Sequence, residues 1–357
     1  MKLLVLGGTK FLGRAVVDAA RAREHTLTLF NRGLEDPSAY PDVEQIHGDR
    51  TTAEGRARLA GRTWDAAIDT AAYLPRDVRS MASALDVGHY TFVSSISVMA
   101  GHALVGQDET APVARLTPEQ QAEVEALSLD GPIPARALGE FYGPLKAQCE
   151  EAALAAFPGA ALIVRPGLIV GPHDVSDRFT YWPARFMKGG DVLAPGSPDR
   201  RVMFIDVRDL AEWMVRMVEA RASGTYLATG PGERLSFGTV LDACARVAKE
   251  RGAPPSRLVW VDDAFLVEQK LGPWMEMPLW IPATDQAFAG FMTENVARAL
   301  AAGLTFRPLE DTIRATLDWN DTRQKDAPLA AGLAAERESL LLNARRSTLG
   351  TETSSRE

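Results

Sequence analysis

The chain of 357 residues has few cysteines and histidines. Cys149 and Cys244 are its two cysteines and lie far apart in the sequence, so we expect no disulfide framework, and a reducing cytoplasm fits this composition. The five histidines show no spacing typical of a metal site, and no Gly-x-Ser-x-Gly sequence supplies an acyl-transfer nucleophile. These absences exclude the zinc-site and serine-hydrolase classes, and we expect no metal.

Positive charge and long apolar runs are also lacking. The formal net charge is -8 at pH 7, which disfavours a general nucleic-acid surface. No apolar run approaches the roughly 18 residues of a membrane-spanning helix, and the run Leu3–Leu6 is too short for a secretory leader. We therefore expect a cytoplasmic protein whose partner is a small molecule rather than nucleic acid or a membrane.

Short apolar strands alternate with helices through the first two thirds of the chain. Such alternation predicts an α/β fold, a Rossmann-type doubly wound parallel sheet that binds its ligand at the carboxyl ends of the strands. The predicted strands are Leu3–Leu6, Thr26–Phe30, Val43–Ile46, Ala66–Asp69, Tyr90–Val93 and Ala161–Val164, and the clearest helices are Phe11–Ala22 and Phe141–Ala156.

The pattern becomes irregular and aromatic after residue 165. We expect a cofactor-binding domain over residues 1–165, its sheet completed by segments around 202–230, and a smaller C-terminal α/β substrate lobe over most of 166–320. The tail, 321–357, is polar, with one helix predicted over 333–345 and a disordered Ser/Thr/Glu-rich end.

The first strand leads into a glycine turn and an amphipathic helix. A helix start offers free N–H groups and a positive dipole end, which suit the phosphates of a dinucleotide. Lys10 stands in the middle of this turn, where a pyrophosphate would need close approach of the backbone. The alternative is a purely structural turn. The predicted cofactor contacts here are Gly7, Gly8, Thr9, Lys10, Phe11, Leu12 and Gly13.

The end of the second strand bears on the choice of cofactor. A site selective for NAD usually has Asp or Glu here to bind the ribose 2′-hydroxyl, whereas this chain has Asn31 and Arg32. A guanidinium matches a 2′-phosphate in charge and geometry, and Lys10 and Arg14 could add positive charge. We therefore expect NADP, with NAD as the alternative. Arg32 could instead be a solvated turn residue.

Further cofactor contacts are expected at the ends of later strands. Asp49 could accept a hydrogen bond from the adenine amino group, or it could simply form a turn. Small residues follow the fourth strand where the middle of the cofactor would pass. The remaining predicted contacts are Arg50, Thr70, Ala71, Ala72, Ser94, Tyr142, Lys146 and Pro166.

Tyr142 and Lys146 are spaced to lie one helical turn apart on the same face of a helix. An ammonium there can lower the pKa of the tyrosine, which makes the phenol a usable general acid or base. Ser95, at the end of a central strand, can hydrogen-bond the reacting oxygen, and Lys146 can bind the nicotinamide ribose. A Tyr-x-x-x-Lys spacing alone is common; its position after Ser94-Ser95 and the glycine turn makes it specific.

Together, GGTKFLG, FVSSISV and YGPLK, followed by RPGLIVGP from Arg165 and FIDVRDLA from Phe204, form a recognisable series. The series resembles the extended short-chain dehydrogenase/reductase group, also called the NAD-dependent epimerase/dehydratase family, over about residues 1 to 320. The resemblance implies a Rossmann domain, a smaller substrate domain and a homodimer through paired helices. It also implies that Ser95, Tyr142 and Lys146 form the catalytic trio.

Three departures from the family pattern bear on activity. Lys10 replaces the usual middle glycine and resembles an atypical GGTxFxG subgroup, some of whose members have lost catalysis or bind RNA, as the chloroplast stem-loop binding proteins do. Ile96 and Ser97 stand where sugar-nucleotide dehydratases carry an acidic pair. Val202 stands where epimerases carry a phosphate-clamping arginine, although Arg201 precedes it. These departures disfavour a nucleotide-sugar substrate.

We therefore expect an NAD(P)-dependent oxidoreductase that transfers hydride between nicotinamide and a carbonyl or secondary alcohol of a small molecule. One alternative is a sugar or nucleotide-sugar epimerase with tightly bound NAD; another is a catalytically silent relative that binds cofactor or RNA. Aromatic side chains after residue 165 would line the substrate pocket or fill an ordinary core. The expected substrate contacts are Ser95, Ile96, His173, Arg178, Trp182, Arg201 and Trp274.

Overall fold

The computed structural model describes residues 1–36, 38–126, 139–324 and 327–354. In this part of the chain the strands are β1 (Lys2–Leu6), β2 (Thr26–Asn31), β3 (Glu44–His47), β4 (Thr63–Trp64), β5 (Ala66–Asp69), β6 (Asp86–Val87), β7 (Tyr90–Val93), β8 (Ala161–Pro166), β9 (Ile169–Val170), β10 (Gly190–Pro195), β11 (Ile205–Asp206), β12 (Gly224–Ala228) and β13 (Ser256–Val261).

The helices of the same ranges vary from one turn to five. They are α1 (Phe11–Ala22), α2 (Ala53–Ala57), α3 (Pro75–Ala84), α4 (Pro118–Glu125), α5 (Tyr142–Ala156), α6 (Tyr181–Phe186), α7 (Val207–Glu219), α8 (Phe237–Glu250), α9 (Asp263–Glu268), α10 (Ala297–Ala301), α11 (Leu309–Asn320) and α12 (Ala335–Ser354). Short 3₁₀ turns lie at Ile96–Val98 and Gln286–Phe288.

Seven parallel strands form the central sheet in the order β3-β2-β1-β5-β7-β8-β12. The strand order reverses between β1 and β5, and ligands of such sheets bind at the carboxyl ends beside this reversal. The Rossmann-type fold predicted from the sequence is confirmed. β12 reaches the sheet from far along the chain and pairs with β8, Gly224 opposite Leu162.

Helices cover both faces of this sheet because the side chains of each strand alternate between them. Leu3 and Val5 of β1 face α1 and α7, where a buried cluster includes Val16 and Trp213. Leu4 and Leu6 contribute to the opposite cluster, which lies beneath α3 and α5. β1 is therefore buried on both sides, which explains why its sequence is a continuous apolar run rather than an alternating one.

A second core belongs to a C-terminal lobe, built around the parallel pair β10 and β13 with helices α6, α8, α9 and α11. Most of the aromatic residues that follow residue 165 lie in this core. Trp182, Trp280 and Phe237 are among its fully buried side chains. The small pair β9 and β11, in which Ile205 lies opposite Ile169, connects this region back to the central sheet.

The tail packs against the C-terminal lobe. The predicted tail helix is present over Ala335–Ser354, where 333–345 was expected; the disorder expected at the end of the tail stays a prediction, and residues 355–357 lie outside the described residues. Leu341 and Leu342 are buried in the lobe core, and this burial holds the helix in place. No helix in the described ranges combines the length and apolar character needed to cross a bilayer.

Candidate active site

The glycine turn after β1 forms a cradle that only glycine can build. Gly7 and Gly8 have φ values of 109° and 97°, a region that side chains rarely adopt. A Cβ on Gly13 would lie 2.7 Å from the backbone nitrogen of Gly8, so α1 starts directly against the turn. The free N–H groups of the first turn of α1 therefore face a space that suits the phosphates of a dinucleotide.

Lys10 lies at the edge of this cradle and does not fill it. Its backbone is extended, with φ -121° and ψ 145°, and it precedes the first residue of α1. Its ammonium forms an ion pair with Glu35 at 2.7 Å, and its side chain is 62% exposed. Arg14, one turn further along α1, pairs with Asp36 at 2.8 Å. Both cations thus lie beside the loop that follows β2.

The same loop contains Arg32, which is exposed at the end of β2. The Asn31 side chain accepts a hydrogen bond from the Gly33 backbone at 2.7 Å, and Gly33 has φ 70°, so the turn is locally defined. Burial tends to raise the pKa of Asp49, but hydrogen bonds from the backbone N–H and hydroxyl of Thr51, aided by the charge of Arg32, lower it below its ordinary value. Asp49 is therefore a carboxylate that remains ionised next to the end of β2.

Arg50 is not free to bind a cofactor, which corrects the prediction made from sequence. Its two terminal nitrogens bind Asp69 at 2.8 and 2.6 Å, and the Asp69 side chain is fully buried. Tyr90 also donates to Asp69 at 2.6 Å. Arg50 therefore connects the loop after β3 to the end of β5, because a buried carboxylate needs a paired cation.

Other predicted cofactor contacts line the carboxyl edge between the cradle and the centre of the sheet. The Thr70 hydroxyl donates to the Leu6 carbonyl at 3.1 Å, and the Ala71 backbone donates to Asp69 at 3.0 Å. Ser94 is buried at the end of β7, and its hydroxyl has no hydrogen-bond partner. A buried hydroxyl without a hydrogen-bond partner, such as that of Ser94, is suited to bind a polar ligand at this edge of the sheet. Pro166 ends β8 and is buried.

Ser95 and Tyr142 meet at the end of β7. Ser95 starts the 3₁₀ turn Ile96–Val98, where its side chain accepts a hydrogen bond from the Ser97 backbone at 3.1 Å. Tyr142 is the first residue of α5. The Ser95 side chain lies close enough to the Tyr142 phenol to lower its pKa. The structure thus brings these two predicted catalytic residues near each other.

Gly143 allows this approach. A Cβ on Gly143 would lie 2.1 Å from the carbonyl oxygen of Ser97. Any larger residue would therefore force α5 away from the 3₁₀ turn Ile96–Val98 and the Ser95 that precedes it, here called the serine turn. Pro144, the next residue, lies in the first turn of α5, where the missing N–H of proline costs nothing. The sequence YGPLK therefore carries a packing requirement in addition to its tyrosine and lysine.

The Tyr142 phenol has a pKa raised to about 12, mainly by burial and also by the neighbouring Tyr73. The nearby Ser95 hydroxyl and the positive charge of Arg178 act in the opposite direction and lower this pKa. The sequence had assigned the pKa-lowering role to Lys146; in the structure Arg178 is the cation that contributes it. Tyr142 is consequently protonated near neutral pH and is suited to donate a proton.

Lys146 is buried, and its ammonium donates to the carbonyls of Ala72 at 2.9 Å and Val93 at 2.6 Å. It also lies over the rings of Phe92, 4.2 Å from the centroid, and Tyr73, 5.5 Å from the centroid. Burial lowers its pKa to about 8. Because an ammonium has three donors and two are used here, one remains for a ligand such as a ribose hydroxyl.

Two of the expected substrate contacts lie together near Tyr142. The Arg178 guanidinium stacks over the Trp274 ring at 5.4 Å, and its charge acts on Tyr142. Ile96, at the start of the serine turn, is buried. His173 is half-buried and lies 5.7 Å from the Trp319 ring, centroid to centroid. His173 lines a cavity of about 540 Å³ with Phe11 and Arg14 of α1, and this cavity is not lined by Arg178 or Trp274.

Trp182 is a core residue, which corrects its prediction as a substrate contact. Its side chain is fully buried, its indole N–H donates to the Pro278 carbonyl at 3.1 Å, and its ring packs against Tyr181 and Phe237. A substrate cannot reach it. Arg201 stays a predicted contact; its Nε is buried and has no hydrogen-bond partner.

Sequence reasoning missed three residues of the site. The Tyr73 ring lies 6.2 Å from the Tyr142 ring between centroids and 5.5 Å from the Lys146 ammonium. Asp174 is buried beside Arg178, and Glu294 is buried with one carboxylate oxygen lacking a partner. Tyr73 directly follows the small residues at the end of β5, so its position offered a signal. The two carboxylates lie in irregular segments that carry no such pattern.

The fold and the glycine cradle at the start of α1 are those of a nicotinamide-dependent enzyme of the extended short-chain dehydrogenase/reductase type. Residues 3–228 match the model of the NAD-dependent epimerase/dehydratase family. The chain belongs to this family. No curated protein matches it.

Solved structures share the fold at low sequence identity. A putative epimerase from Burkholderia cenocepacia superimposes with a TM-score of 0.62 and 19% identity, over 89% of this chain and 97% of that one. UDP-glucuronic acid 4-epimerase from Bacillus cereus, solved with NAD, gives 0.60 and 12%, over 93% and 100%. A human epimerase family protein, solved with NADPH, gives 0.55 and 16%, over 89% and 99%.

Proposed function

We propose that this protein is an NADP-dependent oxidoreductase that transfers hydride between nicotinamide and a carbonyl or secondary alcohol of a small molecule. The observation that carries this proposal is that Ser95 lies close enough to Tyr142 to lower the pKa of its phenol, with Lys146 buried one helical turn further along α5. All three lie at the edge of the sheet that also contains the glycine cradle. Such a trio can polarise an oxygen, supply its proton and orient a nucleotide.

Each member of the trio has a distinct role in this proposal. When bound, the nicotinamide ring supplies or accepts the hydride. Ser95 donates a hydrogen bond to the substrate oxygen and so polarises the carbonyl. Tyr142 gives its phenolic proton to that oxygen during reduction, or takes it back during oxidation. Lys146 holds the ribose with its remaining N–H and fixes the ends of β5 and β7 through two carbonyls.

Replacing Tyr142 by phenylalanine tests the chemistry. Tyr142→Phe removes the proton donor and keeps the ring, so we expect carbonyl reduction to fall about 10²- to 10⁴-fold with NADPH affinity unchanged. Turnover is measured with a carbonyl panel, and affinity by NADPH fluorescence. Tyr226→Phe, the same change on a half-buried tyrosine of β12, is the matched control and should retain activity. Near-normal turnover in Tyr142→Phe would remove the phenol from the mechanism.

The preference for NADP rests on the cations at the edge of the cradle. Arg32 is exposed at the end of β2, and Lys10 and Arg14 lie beside the same loop, each with an acidic partner. A 2′-phosphate binding there would gain charge-assisted hydrogen bonds from the guanidinium of Arg32. NAD lacks that phosphate and gains nothing from these residues.

Titration of both reduced cofactors tests this preference. We expect Arg32→Asp to weaken NADPH binding about tenfold or more and to leave NADH binding nearly unchanged, because only the 2′-phosphate contact is lost. Arg79→Asp is the control, since it makes the same charge change on an exposed residue of α3. A wild-type protein that binds NADH more tightly than NADPH would contradict the assignment.

The alternative is a sugar or nucleotide-sugar epimerase that retains its cofactor. It gains support from the family, which includes epimerases. Against it, Val202 stands where those enzymes place a phosphate-clamping arginine, and its side chain is fully buried. Cofactor that copurifies and turns over a sugar without net redox change would favour the epimerase.

We also propose a homodimer formed through α3 and α5. A groove of about 1030 Å³ lies along these helices, with Leu74, Val124 and Ala152 among its apolar lining residues. A second copy that packs its own α3 and α5 against these helices would cover the groove. Sedimentation equilibrium measures the mass directly, and a monomer at micromolar concentration would contradict this proposal.

A further inference from the structure

Arg178 is a half-buried cation beside Tyr142. In the part of the chain that the structure describes, no carboxylate forms an ion pair with it. Its Nε donates to the Ser176 hydroxyl at 3.2 Å, and the guanidinium lies over the Trp274 ring at 5.4 Å. A cation withdrawn from water without a paired anion is costly, so its terminal N–H groups are suited to an anionic ligand.

The chain holds Arg178 in place through a strained turn. The preceding residue, Asp177, has φ 56°, an unfavourable conformation for a residue with a side chain. Its buried carboxylate fixes this conformation by accepting two hydrogen bonds from Arg323, at 2.7 and 3.2 Å, and one from the Ala330 backbone at 2.9 Å. The turn that presents Arg178 is thus anchored by Arg323 and by the backbone of Ala330.

Trp274, the residue beneath the guanidinium, is held in a similar way. It has φ 70°, and its backbone nitrogen donates to the carbonyls of Met277 at 3.1 Å and Trp280 at 3.0 Å. Arg178 therefore follows a residue with positive φ, and Trp274, which lies against its guanidinium, has a positive φ itself. Strain of this kind persists where the surrounding structure enforces it, often at ligand sites.

Asp174 does not supply the missing anion. One of its carboxylate oxygens accepts from the Ser176 backbone at 2.8 Å, and the other has no partner. Its charge acts on Arg178 without forming an ion pair, and burial raises the pKa of Asp174 above its ordinary value. Asp174 therefore leaves the terminal N–H groups of Arg178 available to a ligand.

We propose that Arg178 binds a carboxylate of the substrate close to the reacting carbon, with Trp274 covering one face of the guanidinium. Resting on the oxidoreductase function proposed above, this assigns the substrate to the small oxo acids or the corresponding hydroxy acids. A planar guanidinium binds a carboxylate through two parallel hydrogen bonds. The acid group is fixed at Arg178 while the substrate oxygen lies at Ser95 and Tyr142.

Matched acid and amide probes test the proposal on the full-length protein saturated with NADP⁺. The pairs are oxamate with oxamide, malonamate with malonamide, and succinamate with succinamide, and binding is measured by calorimetry. We expect at least one acid to bind about tenfold more tightly than its amide, because a charge-assisted contact is gained. Arg178→Gln should bring that ratio close to one, and Arg178→Lys should retain part of it.

Arg298→Gln is the matched control, since Arg298 also stacks on an aromatic ring, that of Tyr226 at 4.4 Å, but lies by the amino end of β12. It should keep the wild-type ratio. Equal binding of acids and amides by the wild type, or an unchanged ratio in Arg178→Gln, would overturn the proposal. NADP⁺ affinity is measured in the same samples: its absence would contradict the proposed oxidoreductase, whereas normal affinity without acid preference would contradict this inference alone.

Discussion

Lys146 shows how one residue can serve both structure and binding. Its ammonium fixes two strand ends through the Ala72 and Val93 carbonyls and keeps one N–H for a ligand. Its spacing from Tyr142 was visible in the sequence, whereas its backbone partners and burial were not. The pairing of Arg50 with Asp69 was equally hidden, because spacing along the chain does not reveal which buried charges meet.

The titration of Lys146 predicts a pH dependence of cofactor binding. Burial lowers the pKa from the ordinary 10.5 to about 8, so the ammonium is present below pH 8 and is lost as the pH rises through that value. We expect NADPH affinity, measured by fluorescence, to decrease through about pH 8. In Lys146→Met the affinity should be lower, without that inflection. The same inflection in Lys146→Met would assign it to another group.

At the scale of elements, the contact between Gly143 and the Ser97 carbonyl fixes the position of α5 against the serine turn. Ser97 and Gly143 touch so closely that the first turn of α5 cannot move without separating Tyr142 from Ser95. The sequence predicted β5, β7 and α1 with the boundaries observed, and α5 within one residue, because apolar runs and helical periodicity define them. The pair β10 and β13 was not predicted, since partners so distant leave no local pattern.

Gly143→Ala tests this contact. The new Cβ would lie 2.1 Å from the Ser97 carbonyl oxygen. We expect the free energy of unfolding to fall by about 1–3 kcal/mol, as is typical of overpacking, and turnover to fall as Tyr142 moves. Gly101→Ala is the control because a Cβ there meets open space. Equal stability of both variants in denaturant titrations would show that α5 adjusts freely.

At the scale of the whole molecule, the tail helps to hold the C-terminal lobe together. Glu338 of α12 is buried and accepts hydrogen bonds from the Arg185 side chain at 2.7 Å and the Leu193 backbone at 3.0 Å. It thereby joins α12 to α6 and β10. The sequence predicted a helix here but not its docking, because a polar tail shows no sign of where its few buried residues will pack.

Removal of the Glu338 carboxylate should destabilise the C-terminal lobe and leave the central sheet unchanged. In Glu338→Ala, Arg185 loses its anionic partner, and we expect the free energy of unfolding to fall by about 3 kcal/mol, measured by urea titration. Glu336→Ala, an exposed change in the same helix, should have little effect. NADPH affinity should be the same in both variants, and a large loss of it in Glu338→Ala would show that the lobe also shapes the cofactor site.

The path of the chain restricts how this enzyme can exchange parts with its relatives. After β8 the chain builds β9, α6 and β10, returns for α7 and β12 of the central sheet, and then leaves again for α8 and β13. If this chain were joined to a relative at a single point between β8 and β12, the edge strand would come from the relative and the other strands of the central sheet from this chain. Transplanting a new specificity would therefore require two separate segments to be replaced together, one on each side of α7 and β12.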